Sequence, residues 1–189
     1  ALETTECNPD TNALIPYFLA KEVYLKQKKY TEMAKMLNMA EQINPNQPLE
    51  EPYKLGEQSV ETIGEGVDAL REEVWVKIYN NAVDLIQREK VEDAKKQIET
   101  AILIHPKKGE NYTTLGAMYI QEGNMDLALS TTERGMEKDP ENSMLYQMKA
   151  DILVQNKDLE SAKELYLKAI EFSDDPGPIM RKLLFVYID

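Results

Sequence analysis

The chain has 189 residues, 42% of them apolar, and 22 Lys+Arg against 34 Asp+Glu give it a net charge of -12. That length and apolar content fit one ordinary domain or a segment of a repeat array, whereas the charge opposes phosphate backbones and anionic membranes, so nucleic acid is not expected as a partner. The single cysteine, Cys7, excludes an intrachain disulfide, and no run of about 18 apolar residues is present to span a membrane.

From the N-terminus, Ala1–Asn8 before Pro9 reads as the end of a preceding second helix, so the chain looks cut from a longer array. Helices are expected near 14–27 and 30–44, with Tyr17, Tyr24, Leu37 and Ala40 as apolar anchors and Pro45 as the stop. The next stretch changes character. Asn46–Gly56 holds Pro48 and Pro52 and reads as an irregular loop, the most mobile internal segment. Ile63, Val67, Leu70, Val74 and Ile78 then recur at four, three, four and four, one stripe of a helix beginning near Thr62 and ending near Arg88. Gly64 and Gly66 weaken its start by ~1 kcal/mol each relative to alanine. Residues 50–73 carry eight acidic side chains against Lys54 and Arg71, which reads as the solvated face of an extended helix.

Beyond Trp75 the sequence keeps a beat of 34. Pro106, Pro140 and Asp174 are spaced by it, as are Ala94, Ala128 and Ala162, then Ala82, Gly116 and Ala150, then Leu85, Tyr119 and Leu153. A fixed period in this range marks stacked supersecondary units. Helices follow near 90–104, 109–121, 125–138, 143–155, 159–172 and 178–188, with Glu122-Gly123-Asn124 as one turn between a pair.

These residues resemble the tetratricopeptide repeat, a helix–turn–helix of 34 residues. The fold expected is all-α: a right-handed helical solenoid of antiparallel pairs, with one long helix after an inserted loop and no β-sheet. Residues 1–189 form one array, with repeats near 14–45, 75–106, 109–140 and 143–174, an insertion at 46–74 and a capping helix at 178–189. Lys21 and Met33 depart from the family where small residues are usual, so the first pair is expected to pack less closely.

The resemblance implies that the first helix of each repeat lines a concave face, and that its residues pointing away from the partner helix contact a ligand. Carried onto this chain they are Phe18 and Glu22; Val76, Tyr79 and Val83; Thr113 and Ala117; Gln147 and Asp151, with Ile15, Ile86, Glu110, Ile120, Met144 and Val154 beside them. An alternative buries Val76, Val83 and Ile86 against the next repeat or the loop. Family members that hold a C-terminal carboxylate use Lys, Arg and Asn at such positions; here only Asn80 matches, so that subfunction is disfavoured.

No catalytic constellation is present. His105 is the only histidine, and no phosphate loop, nucleophile elbow or paired-cysteine motif occurs. The expectation is therefore no enzyme, no cofactor and no metal. The leading reading is a scaffold that binds a peptide or partner protein on its concave face. The alternatives are an assembly unit that weakly self-associates through its end helices, or a regulatory domain of a longer protein. No compartment is assigned: the chain reads as soluble, cytoplasmic or exported after removal of a signal.

Overall fold

The computed structural model describes residues 10–55 and 57–188; Cys7 and the helix end expected at Ala1–Asn8 lie outside them. The chain opens with α1 (Leu14–Phe18), which passes directly into a π-helical segment (Leu19–Tyr24), and α2 (Tyr30–Ile43) follows. A hairpin of β1 (Pro48–Leu55) and β2 (Gln58–Thr62) leads into α3 (Ile63–Gln87) and α4 (Val91–Ile104). The remainder is α5 (Gly109–Gln121), α6 (Met125–Lys138), α7 (Ser143–Gln155), α8 (Leu159–Glu171) and α9 (Gly177–Ile188). α2 packs against α1 and the π-helical segment, and α5 with α6 and α7 with α8 pack as antiparallel pairs joined by tight turns. The described residues divide into two compact bodies. One runs to Asp84 and includes Leu103–His105; the other holds Leu85–Ile102 and the chain from Pro106.

The first body is built on the stripe that the sequence predicts. Ile63, Val67, Leu70, Val74 and Ile78 of α3 are all buried, as are Tyr17, Met33, Ala34 and Leu37 of the first helix pair. Gly66 lets α3 approach Tyr17: a Cβ there would lie 2.8 Å from the phenol oxygen. The start of α3 is set by a capping box. The Glu65 carboxylate accepts from the amides of Glu61 (2.8 Å) and Thr62 (3.0 Å), while the Thr62 hydroxyl accepts from the Glu65 amide at 3.4 Å. Those backbone donors hold the Glu65 carboxyl below its ordinary range.

Two expectations are corrected here. Residues 48–62 form an antiparallel hairpin where an irregular loop and a chain free of sheet are expected. Its stem is closed by Ile63 donating to the Gln47 carbonyl (2.9 Å) and Gly64 to the Pro45 carbonyl (2.7 Å). The alternation of a strand is hidden because Pro48 pairs with Thr62 and Tyr53 with Val60, so β1 advances five residues while β2 moves two. The surplus forms a wide bulge at Leu49–Pro52, which also accommodates a proline that has no amide to donate. Second, Arg71 is not on a solvated face. It is buried, and its guanidinium donates to Glu41 (2.9 Å) and Asn38 (2.6 Å) of α2.

In the second body the small residues sit at close helix crossings. Ala94, Ala128, Ala150, Ala162 and Ala169 are fully buried. At Gly135 an added Cβ would come within 2.7 Å of the Tyr112 Cβ and 2.8 Å of a Leu145 methyl, so only glycine fits without a shift. The period is repeated in hydrogen bonds. The Tyr112 hydroxyl donates to the Pro106 carbonyl at 2.9 Å, and the Tyr146 hydroxyl to the Pro140 carbonyl at the same distance. Asn124 and Asp158, 34 residues apart, each cap the following helix by accepting from the amide three residues on. Asn111, which begins a glycosylation sequon, is fully buried and is not presented as an acceptor.

Candidate protein-binding surfaces

In the first body Phe18 and Glu22 lie on one wall of a cleft of about 220 Å³. Phe18 is the last residue of α1 and Glu22 lies in the π-helical segment, whose widened turn starts at Leu19. The opposite wall comes from the bulge of β1: Leu49, Glu50, Glu51 and Tyr53. Tyr17 closes the floor, its hydroxyl 3.4 Å from that of Tyr53. Burial, and then this contact with Tyr53, push the Tyr17 phenol far above its ordinary range. Lys21 stands where the repeat favours a small residue. Instead of entering the helix pair, its ammonium lies 4.8 Å from the Tyr53 ring centre and 5.8 Å from that of Tyr17. Glu22 is paired with Lys26 at 2.6 Å, which lowers its carboxyl below the ordinary value.

The α3 candidates divide. Val76 is 40% exposed, whereas Tyr79 and Val83 are half-buried. The Tyr79 ring stacks on Trp75 at 5.1 Å, so part of its surface is committed to the fold. Trp75 also meets the edge of His105, whose Nε2 lies 3.5 Å from a Glu72 carboxylate oxygen.

In the second body Ala117 is exposed and Gln147 half-buried. Thr113 is buried and its hydroxyl donates to the Glu110 carbonyl at 3.1 Å, a bond within its own helix. Asp151 has an internal task. One carboxylate oxygen accepts from the Tyr166 hydroxyl and the other from the Lys182 ammonium, both at 2.6 Å. It therefore ties α7 to α8 and α9. Burial, with the Asp151 hydrogen bond second, drives the Tyr166 phenol far above its ordinary range.

Leu49, Glu50, Glu51 and Tyr53 are the residues that sequence reasoning misses. The signal present was Tyr53-Lys54-Leu55 followed by Ser59-Val60-Glu61-Thr62, two short strand-like runs, but the prolines beside the first obscure it. Among the described residues, no group of three His, Cys, Asp or Glu side chains is arranged to hold a metal ion, and no helix is long and apolar enough to cross a membrane.

A family model described as tetratricopeptide repeat matches residues 145–176. No curated protein matches the chain. Among solved structures, the chain is similar to the type III secretion translocator chaperone SycD of Yersinia enterocolitica, with a TM-score of 0.55 and 20% identity over 66% of this chain and 93% of that one. It is similar to the Sgt2 TPR domain of Aspergillus fumigatus, with a TM-score of 0.54 and 21% identity over 60% of this chain and 77% of that one. The first TPR of Spaghetti (RPAP3), bound to an HSP90 peptide, gives a TM-score of 0.54 at 13% identity over 60% of this chain and 90% of that one. At such identities the likeness is one of fold. One tetratricopeptide repeat is thus matched by sequence in α7 and α8, and the chain shares its fold with structures built of such repeats.

Proposed function

We propose that this chain is a non-catalytic protein-interaction scaffold whose first helices, α1, α3, α5 and α7, present the contacts for an extended peptide or partner segment. The observation that carries the reading is exposure in the wrong place for a self-contained core: Phe18, Val76 and Met144 keep large apolar side chains in water at ligand-facing positions of those helices. Structures of similar fold support it. SycD has been solved with a peptide of the translocator YopD, and PcrH with the chaperone-binding region of PopD. On this reading α9 caps the second body, and Ala117 and Gln147 join its contact surface.

The test is selection of binders from a composition-neutral displayed peptide library against the whole chain, followed by titration against Phe18→Ala and Tyr79→Ala. Each substitution is expected to weaken the selected peptides roughly tenfold with helical circular dichroism unchanged. A library that yields no saturable binder, or binders that ignore both substitutions, rejects the scaffold reading.

A second reading has its own observation. On α9, Ile179, Leu183 and Val186 are buried, while Met180, Leu184, Phe185, Tyr187 and Ile188 are all exposed. A helix apolar on both sides favours self-association through an end helix. Sedimentation over a wide concentration range separates the two: a strict monomer rejects assembly, and a dimer abolished by Leu184→Glu supports it.

A further inference from the structure

We propose that the cleft between the π-helical segment and the bulge of β1 is a docking site for an extended peptide segment that presents one apolar side chain flanked by lysine or arginine. This deepens the scaffold reading and rests on it.

Both walls are departures from regular backbone. The π-helical segment spans Leu19–Tyr24, and the bulge spans Leu49–Pro52 of β1. Each kind of irregularity re-aims side chains that a regular helix or ladder would place elsewhere, and each recurs at functional positions. Here both face the same hollow, and one lies in the insertion that a plain repeat array lacks.

The hollow selects by size. At about 220 Å³ it is smaller than the range of roughly 300–1,000 Å³ typical of small-molecule pockets. It admits a side chain rather than a cofactor. Its lining of Tyr17, Phe18, Leu49 and Tyr53 suits an aliphatic or aromatic group, and Phe18 remains 38% exposed at the mouth.

The rim selects by charge. Glu22, Glu50 and Glu51 stand around the hollow with Lys21; Glu22 is already paired with Lys26, so the charge selection rests on Glu50 and Glu51. Lys21 is drawn inward over Tyr53, and Glu50 and Glu51 are exposed on the bulge. Flanking cations on an incoming segment would meet these carboxylates, and the chain's net charge of -12 adds long-range attraction. The same rim repels an anionic membrane or a nucleic acid.

The test uses the whole chain, isotopically labelled, and three short synthetic peptides. One alternates lysine with leucine; in the second glutamate replaces lysine; in the third serine replaces leucine. The lysine–leucine peptide is expected to bind saturably and to shift backbone resonances at 17–22 and 49–53. The other two are expected to bind at least roughly tenfold more weakly. The double substitution Glu50→Gln with Glu51→Gln, on exposed side chains that the fold does not need, should weaken the first peptide several-fold and reduce its salt dependence.

Equal binding of the serine peptide means plain charge attraction and overturns the pocket. Shifts confined to α5, α7 or α9 overturn this site while leaving a peptide-binding scaffold intact. Absence of saturable binding by all three peptides overturns the proposed ligand chemistry. The composition-neutral library of the preceding section then decides separately whether the scaffold reading survives.

Discussion

Lys28, Glu89, Gly123 and Lys157 share a left-handed backbone, with φ of 56, 59, 76 and 64°. Each closes the first helix of a pair in one hydrogen-bond pattern, in which the next amide donates to a carbonyl five residues back: Lys29 to Tyr24, Lys90 to Leu85, Asn124 to Tyr119 and Asp158 to Leu153. This is the Schellman arrangement, and glycine suits it best because it has no Cβ to clash. Only one of the four positions has glycine, and nothing lies within 4 Å of where a Cβ at Gly123 would sit. The effect of substitution there is therefore conformational rather than steric. Gly123→Ala is expected to cost about 1 kcal/mol, and Lys157→Gly to stabilise by up to about 1 kcal/mol. Urea unfolding measures both; unchanged midpoints for the pair would mean that the turns relax without strain. The sequence discloses the turn at Gly123 by its composition. Lys28, Glu89 and Lys157 carry no such mark, and only the shared register locates them.

At the scale of elements, α3 shows what periodicity reveals and what it hides. Its buried stripe is legible because a helix packed on one side must repeat apolar residues every three or four positions, and the observed start at Ile63 follows from it. Arg71 falls next to Leu70 on the same buried side, where a sequence pattern records only a charge. Its partners, Asn38 and Glu41, lie 33 and 30 positions earlier on another helix, and no local rule connects them. Glu41 keeps about a third of its side chain in water, so Arg71→Ala strands no buried charge; losing the buried guanidinium's packing and its two hydrogen bonds is expected to lower stability by about 2 kcal/mol. Arg71→Lys keeps the charge but lacks the planar fork that reaches both partners, and should fall between. A loss below about 0.5 kcal/mol, the size expected of a surface change, would show that the guanidinium is solvated after all. The hairpin was illegible for a different reason: its bulge interrupts the two-residue alternation that identifies strands, while the helices have no comparable interruption beyond Trp75.

For the whole molecule, burial holds phenols protonated in both bodies, most strongly Tyr17 in the first and Tyr166 in the second, with Tyr112 of the second also raised. In both, the folded chain retains the proton more tightly than the unfolded chain, whose phenols ionise near 10.0. Their contribution is complete below that value. It declines above it, because the unfolded state gains by releasing a proton that the folded state still holds. Alkaline titration should therefore show phenolate absorbance from the more accessible of the ten tyrosines first, then a late step that coincides with loss of helical circular dichroism. Full ionisation with the helices intact would contradict the burial of these two rings. Thr113 and Asp151 carry the matching lesson about sites: family register nominates them as contacts, yet their hydrogen bonds in this particular chain commit both side chains to the fold. The closed stem below the hairpin has a consequence of its own. Pro45 and Gln47 are already bonded to Gly64 and Ile63, so the chain enters and leaves residues 48–62 at one point. Lengthening or shortening what lies above that clasp changes closure entropy by only about 0.6 kcal/mol per doubling. Leu49 and Val60 are buried, so a graft that keeps these two anchors could rewrite the rest of the segment while the helices beneath keep their register.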